Sequence, residues 1–155
     1  MDSNHFTTSF LVDQTPEEAF AAIMNVRGWW TENLEGQSEK LNDEFEVRFR
    51  DVHYSRHKII EIVPNKKVVW LGTDSQLNFI NQKSEWTDTK IIFEISKQGG
   101  QTQVRFTHAG LVPEYECFEA CSNAWTQNIR QSLLSLITTG KGQPGTKEDA
   151  PLTAK

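Results

Sequence analysis

Between Phe45 and Ala109 the chain alternates apolar and polar residues almost without a break, the period of strands that bury one face and wet the other. Phe45, Val47 and Phe49 alternate with Glu46, Arg48 and Arg50, and a second strand is expected from His53 to Val63. Pro64-Asn65-Lys66 then predicts a turn, with Lys67 to Thr73 returning beside it as the other arm of a hairpin. Ser75 to Asp88 is less regular, with at most an edge strand around Leu77 to Ile80. The clearest hairpin follows: Ile91, Phe93 and Ile95 alternate on one arm, Val104 and Phe106 on the other, and Gly99-Gly100 supplies positive backbone angles between them. After Ala109 the period changes. From Tyr115 to Thr139 apolar residues recur at Phe118, Cys121, Trp125, Ile129, Leu133 and Ile137, which predicts one long helix with a single apolar face, closed by Gly140.

Upstream, Phe6 to Val12 is a strand with Phe6, Phe10 and Val12 apolar. It runs into Thr15-Pro16-Glu17-Glu18, a helix start in which Thr15 caps, Pro16 suits the first helical position and Glu18 completes a capping box. Ala19, Phe20, Ile23 and Met24 form the apolar face of that helix, which ends near Asn25-Val26-Arg27-Gly28. Neighbouring side chains diverge on regular structure, so of Trp29 and Trp30 one is expected to pack inward and the other to lie on the rim. Either the pair anchors its loop to the sheet or one indole lines a pocket mouth. Leu34 to Leu41 offers at most a short strand before the turn Asn42-Asp43-Glu44. Strand, helix, many strands and long helix in that order predict an α+β domain, a curved antiparallel sheet gripping a helix, with room for a cavity between them.

The 155 residues suffice for one domain, expected over residues 1–140. Lys141 to Lys155 holds Gly, Pro, Lys, Glu and Thr with almost nothing apolar, and is expected to be a disordered tail. No apolar run approaches the ~20 residues that span a bilayer. The opening Met1-Asp2-Ser3-Asn4-His5 lacks the basic and apolar regions of a secretory signal, so a cytoplasmic protein without membrane insertion is expected. A net charge of -5 argues against nucleic acid as a partner, because phosphate backbones are held by clustered Lys and Arg. Cys117 and Cys121 stand four apart, neither a Cys-x-x-Cys motif nor good disulfide geometry on one helix, and are expected to act as small hydrophobes.

Little in the chain points to catalysis. His53 and His57 lie about 13 Å apart along a strand, too far to share one metal. They share a face with Ser55, in a solvated or cavity-edge position. His108 has the parity of Val104 and Phe106 and should face the helix near its strand's end. It is either a hydrogen-bonded histidine packing under the loop Gly110 to Pro113, or a polar anchor or acid–base group for a ligand. Glu46 with Arg48, and Glu94 and Arg105 on their own strands, are explained by cross-strand charge pairs on the solvent side. There is no nucleophile elbow, phosphate loop, dinucleotide fingerprint or metalloprotease helix, so no catalytic residue, metal or cofactor is expected.

Three segments carry a family likeness: Val12 to Trp30 with its Thr15-Pro16-Glu17-Glu18-Ala19-Phe20 start; Lys58 to Trp70 around Pro64-Asn65; and Thr89 to Gly110 leading into the helix with Trp125, Asn128, Ile129, Leu133, Leu136 and Gly140. Together they resemble the START-like (SRPBCC) superfamily, and within it the group similar to the activator of heat-shock protein 90 ATPase. The likeness covers nearly everything before the tail. It implies a helix-grip fold: a bent antiparallel sheet wrapped around the C-terminal helix, two short helices after the first strand, and often an internal cavity. Asn42-Asp43 stands where a Gly-Asp turn is usual, and Ala124 stands where Gly is common before Trp125.

Superfamily members bind hydrophobic molecules, act as co-chaperone modules or cyclise polyketides, so the fold alone does not choose a function. The leading expectation is a binding module for an apolar or amphipathic molecule, lined by Trp30, Phe45, Val47, Trp70, Phe93, Phe106, His108, Trp125 and Ile129. Core packing is the rival explanation for each of them. A co-chaperone-like interaction module is the second reading, with a chaperone as partner, although the named activator also carries a separate N-terminal domain. A cyclase-type enzyme is the third and would need convergent polar groups in the cavity. The oligomeric state is open.

Overall fold

A computed structural model of the chain describes residues 6–49, 53–77, 86–111 and 118–143. The first strand, β1 (Phe6–Val12), passes into α1 (Pro16–Met24) through the expected capping box. The Glu18 amide donates to Thr15 Oγ1 (3.1 Å) and the Thr15 amide donates to Glu18 Oε1 (2.9 Å). Thr15→Ala removes half of that exchange and is expected to cost about 1 kcal/mol, read as a shift in denaturation midpoint.

A one-turn helix, α2 (Val26–Trp29), follows directly. Here the structure corrects the sequence expectation: Trp29 and Trp30 are both buried, and neither lies on a rim. Side chains on a helical turn diverge by about 100°, not the 180° of a strand, and an interior that wraps around the turn accepts both. Trp29 Nε1 donates to the Ile23 carbonyl (3.2 Å), tying the pair to the end of α1.

The strands β2 (Leu34–Gly36), β3 (Glu44–Phe49), β4 (His53–Val63), β5 (Lys67–Leu77), β6 (Lys90–Gln98) and β7 (Gln101–Ala109) complete a curved sheet of seven antiparallel strands in the order β1-β7-β6-β5-β4-β3-β2. Its turns use the residues their backbone requires. Asn65 takes φ 64° between β4 and β5, and Gly99 takes φ 64° between β6 and β7, whereas Gly100 is not in the positive region. Asn42 takes φ 73°, a conformation that asparagine tolerates better than most residues, so the absence of glycine there is accommodated. Reciprocal bonds clip this turn onto β4: Asn42 N to Ile59 O (2.8 Å) and Ile59 N to Asp43 O (2.9 Å). β5 runs past its expected end at Thr73, and the edge strand anticipated up to Ile80 falls mainly outside the described residues. On the outer face Arg56 of β4 pairs across strands with Glu44 (3.0 Å) and Glu46 (3.2 Å) of β3, whereas Arg48 pairs with Glu46 (3.5 Å) within β3 and not across strands as expected.

The C-terminal helix is continuous but not uniform. It comprises α3 (Phe118–Gln127), a π-helical stretch Asn128–Leu133, and α4 (Leu134–Thr139); the expected start at Tyr115 lies outside the described residues. Cys121, Trp125, Ile129, Leu133 and Ile137 are all buried and stand four apart. In a pure α-helix each such step would turn the buried stripe by about 40°. A π stretch takes more residues per turn and offsets part of that drift, which keeps Ile129, Leu133 and Ile137 in the buried core.

Gly140 ends the helix with φ 85° and donates to the Leu136 carbonyl (3.0 Å). Of the predicted tail, Lys141–Gln143 turn back onto the helix, and residues 144–155 lie outside the described residues. Gln143 N donates to Ser132 Oγ (2.7 Å), which itself donates to the Trp29 carbonyl (2.6 Å). The chain end, the π stretch and α2 thus meet at one hydroxyl.

Candidate functional site

The concave face of the sheet meets the helix through aromatic rings. Trp30, Phe45, Val47, Trp70, Phe93, Phe106, His108, Trp125 and Ile129 are all at most 1% exposed, so the structure brings every sequence-predicted candidate into one interior. Register explains the convergence: Phe93 faces Phe106, Val68 faces Phe93 and Phe45 faces His57 across neighbouring strands. The five tryptophans join in two near-parallel groups. Trp29, Trp30 and Trp70 lie within 16° of one another, Trp86 and Trp125 within 14°, and Trp30 is tilted 26° from Trp86. Cys121 is buried among these residues, and Cys117 lies outside the described residues.

His108 sits in a directed chain of hydrogen bonds. Trp125 Nε1, a donor only, gives its hydrogen to His108 Nδ1 (3.0 Å). Nδ1 is therefore an acceptor, and the ring hydrogen is on Nε2, which donates to Thr89 Oγ1 (2.8 Å). Thr89 in turn donates to the Trp86 carbonyl (2.6 Å). Both imidazole nitrogens are engaged with the protein, and the Leu111 amide donates to the His108 carbonyl (3.1 Å); of the loop expected over this histidine, Val112 and Pro113 lie outside the described residues.

Gly72 lets this arrangement close. A side chain there would run into the Trp86 carbonyl at 2.5 Å, and its amide instead donates to Thr89 O (2.8 Å). The segment carrying Trp86 and Thr89 is thereby laid directly on β5.

His57 is different. Its solvated alternative is corrected by the structure: the ring is 1% exposed and surrounded by Phe45 (5.4 Å), Trp30 (5.6 Å), Trp70 (5.6 Å) and Trp86 (6.2 Å). Nε2 bonds Ser55 Oγ (2.9 Å), and Nδ1 has no hydrogen-bond partner among the described residues. Burial makes the charged ring costly and pulls its pKa down from 6.5 to about 3. The buried polar side chains near it are hydroxyls. Ser75 stands opposite Ser55 in the β4–β5 register and bonds Thr87 (2.9 Å). Among the described residues no buried side chain is a carboxylate, lysine or arginine, and no group of His, Cys, Asp and Glu is placed to hold a metal.

The family described as activator of Hsp90 ATPase homolog 1-like protein matches residues 13–137. The chain belongs to that family. Among solved structures this family member is similar to the Aha1 dimer from Colwellia psychrerythraea, with a TM-score of 0.71 and 23% identity over 89% of this chain and 98% of that one. It is also similar to DynU16, a putative protein in the dynemicin biosynthetic locus (TM-score 0.65, 12% identity, 90% of this chain and 49% of that one). CalU16 from Micromonospora echinospora is a third (TM-score 0.61, 12% identity, 86% and 74%). At these identities the likeness is one of fold. No curated protein matches the sequence. Among the described residues this family member has no helix long and apolar enough to cross a membrane.

Sequence reasoning left Trp29, Trp86 and Thr89 out of this interior, and for His57 it left a solvated and a cavity-edge place open. For His57 a signal existed, since Ile59 on the same strand parity is apolar. Trp86 and Thr89 flank a turn in an irregular segment, where periodicity says nothing.

Proposed function

We propose that this domain is a cytoplasmic binding module that holds an apolar or amphipathic small molecule between its sheet and its C-terminal helix. The observation that carries the reading is the interior itself: a wall of near-parallel indoles in which the buried polar side-chain groups are hydroxyls, indole N–H groups and uncharged imidazoles. Catalysis through His108 is disfavoured by its geometry, because Trp125 and Thr89 already engage both nitrogens and a general base needs one free to take a proton. That also argues against the cyclase reading.

Native mass spectrometry of the protein from its own host, paired with titration of tryptophan fluorescence by N-phenyl-1-naphthylamine, tests the proposal. A co-purifying molecule, saturable quenching and recovery of the molecule intact after long incubation are expected. Absence of both a bound molecule and probe binding would overturn the reading, and conversion of the molecule would replace it with an enzyme.

The family description supports a second reading, a co-chaperone-like module for heat-shock protein 90. Stimulation of that chaperone's ATPase by the purified domain would favour it. The Aha1 neighbour is a dimer, so self-association measured by sedimentation belongs to the same experiment.

A further inference from the structure

We infer that the face of the sheet turned away from the helix carries a second site, a groove that takes an extended acidic segment of a partner protein. It stands apart from whatever the interior holds. Strand parity places it: Phe93, Ile95, Val104 and Phe106 point inward, so Glu94, Ser96, Gln103 and Arg105 point outward. The turn between β4 and β5 raises a wall beside them with Val63, Lys66 and Lys67, and the open groove so formed has a volume of about 480 Å³. That wall is fixed before any partner arrives. Lys66 N donates to the Val63 carbonyl (2.9 Å), and the Lys66 carbonyl accepts from Ile95 N of β6 (2.8 Å).

Charge selects the occupant. The chain carries a net charge of -5, yet this groove sets Lys66, Lys67 and Arg105 against Glu94 alone. The register places Glu94 opposite both Lys67 and Arg105, but it forms an ion pair with neither, so the cross-strand pairing expected there is not made. Lys67 reaches Glu61 instead (3.6 Å), and Lys66 and Arg105 have no ion pair among the described residues. Shape selects the form. An open groove leaves its occupant partly in water, unlike a pocket that wraps a small molecule, and a chain segment can continue beyond both ends. Its carboxylates would meet Lys66 and Arg105, its main chain the amides of Gln98 and Gln103, and an apolar residue Val63, which is 38% exposed. Three cations beside an exposed valine in an acidic chain suit a phosphate backbone poorly.

The test titrates the ¹⁵N-labelled protein with the capped pentapeptide Glu-Ala-Glu-Ala-Glu, with its counterparts carrying Gln or Lys for Glu, and with a short oligothymidylate. The amide resonances of Ser96, Gln98 and Gln103 should shift saturably with the acidic peptide, at an affinity about ten-fold above that of the Gln peptide. Lys66→Glu combined with Arg105→Glu should lose the acidic peptide and gain the Lys peptide; both side chains are exposed, so the core is untouched. Should the double variant not fold, Lys66→Gln alone must weaken the acidic peptide about two- to five-fold. No saturable shift at millimolar peptide, equal affinity for the Glu and Gln peptides, or an unchanged preference in the variants overturns the inference. Tighter binding of the oligothymidylate would make the groove a phosphate site, and self-association lost in the variants would make the occupant a second copy; either result overturns it too.

Discussion

Trp125→Ala is expected to destabilise the domain by about 3–5 kcal/mol, the scale for emptying a buried aromatic site. Trp125 is 1% exposed, lies 4.6 Å from Phe106 and 4.9 Å from Trp30 between ring centroids, and donates its indole N–H to His108 Nδ1. The substitution therefore removes packing and strands a buried acceptor at once. Trp125→Phe separates the two effects. It keeps a ring at the site but takes away the indole N–H, and the unmet imidazole nitrogen should account for about 1–3 kcal/mol of the loss. Urea denaturation of both variants reads the difference, and a near-zero change for Trp125→Ala would refute the packing of the helix against the sheet.

Acidification should unfold the protein through His57. Its pKa is about 3 when folded and near 6.5 when free, so between those values the unfolded chain binds a proton that the folded chain refuses. Stability attributable to this ring is intact above about pH 6.5 and falls by about 1.4 kcal/mol for each pH unit below it. The accumulated loss is on the order of 5 kcal/mol by about pH 3, a large share of what a domain of this size holds. His57→Phe should flatten the midpoint-against-pH curve across that window. A wild-type curve already flat from pH 6.5 to 4 would mean that the ring takes up its proton while folded.

Much of the fold could be read from local chemistry. Thr15 with Glu18, Asn65 between β4 and β5, Gly99 between β6 and β7 and Gly140 at the helix end each act over a few residues, and the structure finds them where their types require. The spacing of four from Cys121 to Ile137 even carried the mark of the π stretch, since no pure α-helix keeps such a stripe on one line. The site was legible as a set of inward positions and not as a network. His108 meets Thr89 and Trp125, 19 and 17 positions away, through contacts that only the folded sheet and helix create. The paired burial of Trp29 and Trp30 failed for a related reason: it depends on a single helical turn too short to leave a period.

The sheet order has a consequence for how the chain is made. β1 emerges first, yet its neighbour in the sheet is β7, with Phe6 opposite His108, whereas β2 to β6 pair with strands close to them in sequence. During synthesis the middle of the sheet can zip up as it appears, while β1 must wait, unpaired, for the last strand. Closing so long a loop carries an entropy that only late, distant contacts repay. The helix that follows completes the same step, since Arg130 Nη1 donates to the Ser9 carbonyl of β1 (2.7 Å). The aromatic interior is thus sealed only after both β7 and the helix that follows it have been made, when the first strand and that helix come together.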